Sequence, residues 1–296
     1  MSLSSVELGE VVGLLAALAW STTGLLVRAH GVHFHAIVIN ALRLGISGSV
    51  FVVAWPFLSD RQPVPSAAWL FLGTSMIAGL GIGDSLYFEA LKRIGVARAM
   101  PISMGYPVLA SAGAVVLLHE RMGPLAAFGV ALTLGGVYLV ARPVASATRT
   151  STEGRGYWVG VGMAAAAAVS WSCSTLALGP ALELVDVPTA SAIRTPLASA
   201  LLFLTAMRAG VLPKASHLRG RALLAILVTG LTSVAATGFF MLSVALAGAG
   251  RAAVLTATSP LFAVPISVLV LHEPGSWRVV AGTLCSVIGV ALLAQS

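Results

Sequence analysis

Charged side chains are so sparse along this chain that long uninterrupted apolar runs dominate it, and no other feature constrains the fold as strongly. Segments free of Asp, Glu, Lys and Arg extend over 11–27, 44–59, 62–83, 99–118, 122–141, 156–182, 222–250, 252–271 and 279–296. Another, 187–207, appears if Arg194 is accepted inside it. A helix needs roughly 20 apolar residues to cross the roughly 30 Å hydrocarbon core of a bilayer. The pattern therefore predicts an all-α integral membrane protein with ten transmembrane helices, at about 8–28, 36–57, 68–91, 97–118, 123–141, 157–180, 187–207, 221–246, 252–271 and 277–294. Ten such spans consume most of the 296 residues and leave no room for a soluble domain. A water-soluble protein carries about 25% charged residues; this chain carries 9%, with 58% hydrophobic, which excludes a soluble enzyme and disorder alike. Runs such as VALTLGGVYLVA and MAAAAAV do not alternate, so a β-barrel is excluded too. The first residues, MSLSSVELGE, lack the basic stretch of a cleaved signal, so the first helix is expected to be retained.

The net charge of +7 suggests a nucleic-acid partner until the cations are placed. With ten helices, the loops after odd-numbered spans collect Arg28, Lys92, Arg93, Arg98, Arg142, Arg149, Arg155, Arg208, Lys214, Arg219, Arg221 and Arg278. The opposite side holds Arg61, Arg121 and Arg251 alone, a bias of 12 to 3. The positive-inside rule then sets the odd loops in the cytoplasm and both termini outside, in a multi-pass inner (plasma) membrane protein. The charge reports topology, and no nucleic acid is required.

An internal duplication is legible as well. Trp20-Ser21 recurs as Trp171-Ser172 and Arg43 as Arg194, both 151 positions on. Pro107 matches Pro260, and His119-Glu120 matches His272-Glu273, at an offset of 153. A five-helix unit has been copied in tandem. Because five is odd, the second copy enters the membrane from the opposite side, giving two inverted repeats, an arrangement secondary transporters use to build two gates around a midplane site.

The Trp-Ser of helix 1, Ala41-Leu42-Arg43 of helix 2, the ALKRIGVARA turn over Ala90 to Ala99, the mid-helix proline of helix 4 and the LLHER hairpin resemble the EamA domain. Two such units in tandem resemble the drug/metabolite transporter superfamily, over nearly the whole chain. On that basis residues 1–141 are the first EamA-like repeat, 142–156 a cytoplasmic linker and 157–296 the second repeat. The resemblance implies export of amino acids or related metabolites; many members of the superfamily look cytoplasmic at both termini, whereas the charge tally here places them outside.

Ionisable groups within spans cost roughly 2.5–3.5 kcal/mol each on insertion scales and need a partner or a wet cavity. Arg43 and Asp84 fall at similar depths, about 10 Å from the same surface at 1.5 Å per residue, so they are able to pair; the alternative is that Arg43 snorkels while Asp84 binds hydroxyls. Arg194 occupies the repeat-related position, but helix 8 has no acid, only Thr232, Ser233 and Thr237. A substrate carboxylate would suit its forked donors; snorkelling toward Glu183 or Asp186 is the alternative. Trp20 and Trp171 lie in mid-span, either packed between helices or lining a pocket. Asn40 shares a helix face with Arg43 and Tyr87 with Asp84; with Tyr106 and Thr237 they complete the expected substrate pocket. Pro107 and Pro260 each remove a backbone donor and are expected as kinks beside the pathway or as plain bends. Asp84 is the candidate for proton coupling, with Glu89 either a second candidate or a surface partner of Lys92 or Arg93. The glycines of GLGIGD, Gly79 to Asp84, read as helix-packing positions, and Cys173 and Cys285 as small packing residues. No nucleotide-binding, metal-binding or nucleophile motif is present, so no cofactor and no enzyme activity are expected.

The sequence thus reads as a secondary transporter of small polar metabolites, partnered by the lipid bilayer. A drug or nucleotide-sugar carrier of the same fold is the first alternative, and a membrane scaffold or intramembrane enzyme the second.

Overall fold

The computed structural model describes residues 4–30, 34–110, 123–142, 151–213 and 219–293, with the side chains of 126, 151–154 and 293 excepted. Every element among the described residues is helical. They are α1 (Ser5–His30), α2 (Ala36–Leu58), α3 (Ser66–Ile94), α4 (Val96–Ser103), α5 (Pro124–Ala141), α6 (Ser151–Leu184), α7 (Val187–Arg208), α8 (Arg221–Ala247), α9 (Ala249–Leu269) and α10 (Trp277–Leu293). Seven are long and apolar enough to cross a bilayer, and α5 and α10 are shorter apolar helices. Helix α4 pauses at 104–105 and resumes over 106–110, beyond which the expected span lies outside the described residues. Of the segment read as a linker, 143–150 lies outside the described residues and 151–156 is already part of α6.

Apolar burial alone cannot hold such a bundle together, because lipid is as apolar as leucine; close packing of small residues can. The distribution follows that logic. Ala164, Ala167 and Ala168 of α6 are buried, whereas Phe57, Leu70, Leu269 and Trp277 are 84%, 71%, 75% and 70% exposed and face outward. Where α5 meets α10, a Cβ on Gly136 would stand 2.4 Å from Gly282 O, and one on Gly289 2.4 Å from Thr133 Oγ1, so only glycine allows the backbones this near.

Helix α1 packs on α8 and α3 on α6, while α2 packs on α7, α4 on α9 and α5 on α10. Exchanging each helix for its counterpart five places along the chain leaves this set of pairs unchanged, which is the signature of a two-fold relation between the halves. The helix termini gather at two ends. Arg28, Lys92 and Glu273 meet at one, called here the basic end, where Arg93 and Arg98 flank the turn between α3 and α4; Arg251, Glu10, Ser59 and Asp186 lie at the other.

At that other end Asp186 caps α7. Its Oδ1 accepts from Thr189 N–H at 2.6 Å, and its Oδ2 from Ser59 Oγ at 3.0 Å and Asp60 N–H at 3.2 Å. Burial pushes this carboxyl up, but the bonds from Thr189, Ser59 and Asp60 outweigh it and hold the group below its ordinary value of 3.8. A carboxylate depressed in this way adds stability above its unfolded value and loses it as pH falls through the lower, folded one. Asp186→Ala is therefore expected to cost about 1 kcal/mol near neutrality. The gap to the native protein should close in acid, and thermal unfolding of both proteins across pH measures it.

Candidate functional site

Helix α3 changes step over Met76–Gly83, where MIAGLGIG forms π-helix. Such segments leave carbonyls without ladder partners and recur at functional sites. Here side chains take over: Asn40 Nδ2 donates to Leu80 O at 2.7 Å and Ser85 Oγ to Gly81 O at 2.7 Å. The glycines allow contact as well as curvature. A Cβ on Gly79 would lie 2.3 Å from Ser174 Oγ, and one on Gly83 2.6 Å from the Trp171 ring. The expectation that these glycines serve helix packing is met by α6, which lies directly against them.

Asp84 follows the π-helix, and its two oxygens face different helices. Oδ2 accepts from Arg43 Nη2 of α2, and Oδ1 from Trp171 Nε1 of α6 at 2.9 Å. Arg43 and Asp84 are each 1% exposed. Arg43 also donates to Asn40 Oδ1 at 2.8 Å and to Ser233 Oγ of α8 at 3.1 Å, and its guanidinium lies 4.8 Å from the centre of the Phe88 ring. The snorkelling alternative for Arg43 is thereby replaced by a buried ion pair joining four helices.

Arg194 is arranged differently. It is 4% exposed, and its Nη2 donates to Ser75 Oγ at 2.7 Å and its Nη1 to Met241 Sδ at 3.4 Å. Its Nε has no partner among the described residues, and no carboxylate there pairs with it. It does not snorkel toward Glu183 or Asp186.

Between these two arginines lies a cavity bordered by Trp20, Asp84, Tyr106, Trp171, Arg194 and Thr237, with Ser174, Thr175, Phe240 and Thr256 completing its wall. Its free volume is about 60 Å³. Tyr106 OH is hydrogen-bonded to Thr256 Oγ1 at 2.8 Å, and the Thr237 hydroxyl is buried without a partner among the described residues.

Three expected pocket residues are elsewhere. Tyr87 is fully buried one turn beyond Asp84, behind Trp171, its ring 5.1 Å from the indole; sharing a helix face with Asp84 was not enough, because Trp171 stands between it and the space. Asn40 braces Arg43 and Leu80 O instead of facing the cavity. Arg43 itself turns away from the cavity, with Asp84 interposed. Glu89 pairs with Arg93 at 2.9 Å and Lys92 at 3.5 Å at the basic end, the arrangement of the surface-partner alternative.

At the two prolines, expected as kinks or plain bends in mid-span, the helices break: α4 pauses at 104–105 and α9 at 257–258, so Pro107 and Pro260 occupy the first turn of a fresh segment, where a missing N–H costs little. The carbonyls just before them are each met from the opposite half: Ser172 Oγ donates to Tyr106 O at 2.7 Å and Ser21 Oγ to Ser259 O at 2.8 Å. These serines belong to the repeated Trp-Ser pairs, and the repeat itself was the available signal for them. Ser75 and Ser174 carried no comparable local signal, whereas Glu273 belongs to the repeated His-Glu pair, a signal for the repeat that did not reveal its contacts.

Two inverted five-helix repeats around a buried, partly polar cavity are the build of a secondary membrane transporter. The chain belongs to the EamA-like transporter family, which matches residues 7–142 and 158–295. It is 25% identical over 286 residues to an "Uncharacterized transporter" of Archaeoglobus fulgidus, covering 96% of each chain. It is 28% identical over 139 residues to a "Putative sugar uptake protein" of Lactiplantibacillus plantarum, covering 45% of this chain and 46% of that one. A crystal structure at 22% identity superposes over 96% of this chain and 95% of its own with a TM-score of 0.69, which shows a shared fold.

Proposed function

We propose that this transporter exports small zwitterionic metabolites of the amino-acid class by alternating access of its two halves, 1–141 and 157–296, around the central cavity. The supporting observation is Arg194: a buried cation with an unpartnered Nε and no carboxylate in contact with it among the described residues, bordering the same cavity as Asp84. A substrate carboxylate supplies the planar acceptor its fork lacks. Asp84 offers the complementary charge for an ammonium group, and Trp20 and Tyr106 an apolar wall. Among the acids in the spans, Asp84 is also the one placed for coupling to protons.

A nucleotide sugar would call for several cations around the cavity, and Arg194 is the one bordering it among the described residues. The aromatic walls would also accept a neutral sugar, the substrate class in the name of one relative, but a sugar leaves Arg194 without an anion. The 12 to 3 distribution of cations supports a cytoplasmic basic end, outward termini and a plasma-membrane location.

Flux into proteoliposomes across amino acids, neutral sugars and cationic drugs, with and without a pH gradient, tests the reading. Losing a charge-assisted interaction of about 1.5–3 kcal/mol, Arg194→Gln is expected to raise the KM for the transported amino acid by roughly 10- to 150-fold. An unchanged KM overturns the carboxylate assignment.

A further inference from the structure

A second, smaller cavity lies on the other side of the ion pair. Bounded by α1, α2 and α8, it is lined by Leu26, His30, Phe34, Arg43, Ala225 and Thr229, and His30 stands exposed at the tip of α1, so the space reaches the basic end. Asp84 borders the central cavity and Arg43 borders this one. The two cavities are therefore separated at this level by the ion pair and the groups that seat it: Asn40, Ser233, Phe88 and Trp171.

We infer that the space between α1, α2 and α8 is the access route from the basic end to the central cavity, and that the Arg43–Asp84 pair is its gate. Withdrawing the guanidinium alone would strand a buried carboxylate, so the closed state is held by the cost of an uncompensated charge. The gate therefore opens readily only when another positive group replaces Arg43 at Asp84. A substrate ammonium arriving by this route does so. Arg43 already borders the second cavity, about 20 Å³ in volume, and as α8 moves away its long side chain can extend along it toward His30 and the interface. Ser233 of α8 holds the guanidinium from the second half of the chain, so movement of α8 relative to α2 loosens the gate. The gate itself requires only the transporter fold; the identity of the opening cation rests on the zwitterion reading above.

Thiol labelling tests the gate without any substrate. Cys173 and Cys285 are free, and neither lines either cavity, so both are first replaced by serine. Thr229→Cys then reports on the second cavity and Thr237→Cys on the central one, each exposed to a membrane-impermeant methanethiosulfonate from one side of oriented vesicles. Thr229→Cys is expected to react from the basic-end side. Thr237→Cys is expected to react slowly from that side and at least tenfold faster once Asp84→Asn removes the charge that holds Arg43. Ser233→Ala, which leaves both charges in place, is expected to give a smaller acceleration and serves as the gate variant if Asp84→Asn does not yield monodisperse protein. Thr229→Cys inert from the basic-end side, or Thr237→Cys unmoved by a folded gate variant, overturns the inference. If flux assays show no amino-acid transport while these rates still respond, the substrate class falls and the gate stands.

Discussion

Arg43→Ala is expected to destabilise the protein by about 3–5 kcal/mol, because it leaves a carboxylate buried without its counter-charge. Asp84 is 1% exposed and the Trp171 indole cannot neutralise it. Thermal unfolding in detergent, followed by tryptophan fluorescence, measures the loss. Asp84→Ala is expected to cost a similar amount, since Arg43 would then retain Asn40, Ser233 and the Phe88 and Trp20 rings but no counter-charge. The two losses should not add. Replacing both members by apolar residues of similar volume, Arg43→Met with Asp84→Leu, removes the desolvation problem along with the attraction, and such exchanges are often neutral or stabilising. The double variant is thus expected to fold near native stability and to transport nothing. Native stability in the single variants would mean that water reaches the pair, and the pair would then lose its standing as a sealed gate.

Glu273→Ala is the second large effect. Glu273 is 8% exposed and accepts from the N–H groups of Val96 at 3.0 Å and Ala97 at 2.9 Å, the first donors of α4, and from Arg28 Nε at 2.9 Å. One side chain from the loop between α9 and α10 therefore caps a helix of the other half and ties down α1. Alanine leaves two amides unpaired in a buried setting, at about 1–3 kcal/mol each, while the half-exposed Arg28 contributes little of its own. Glu273→Gln, which keeps one carbonyl acceptor, is expected to fall between alanine and the native protein. Hydrogen exchange reads the effect locally: the amides of Val96 and Ala97 should lose protection well before those of α5 and α10. Unchanged protection in Glu273→Ala would show that the cap is dispensable. Gly95, at φ 78°, makes the turn that presents these amides, and a Cβ there would lie 2.7 Å from Glu273 Oε1.

Much of the architecture was legible because a bilayer imposes one-dimensional rules. Apolar run length set the helices, cation placement distinguished the two ends of the bundle, and the recurrence of Trp-Ser and of the span arginine exposed the duplication. Helix ends were less legible: α6 starts at Ser151 because polar residues at an interface extend a helix as well as apolar ones do. Depth along a span also allowed Arg43 and Asp84 to meet, since both counts start from the same surface, but left snorkelling open. Depth does not predict what stands between two residues. Tyr87 was drawn into the pocket by its spacing from Asp84, and the Trp171 indole, brought in from the other half against Gly83, closes it off.

The chain's order of residues by itself determined that this is a helical membrane protein of two inverted repeats with a distinct basic end, because hydrophobic length, charge and repetition act locally and survive any packing. Tertiary structure decided the rest. It decided that Asp84 is shared between Arg43 and Trp171, that Arg194 is left without an acid among the described residues, that two cavities flank one ion pair, and that each Trp-Ser serine holds the broken helix of the opposite half. The physical reason is that these are contacts between residues up to 238 positions apart, and only the docking of one repeat against the other brings them within hydrogen-bond reach.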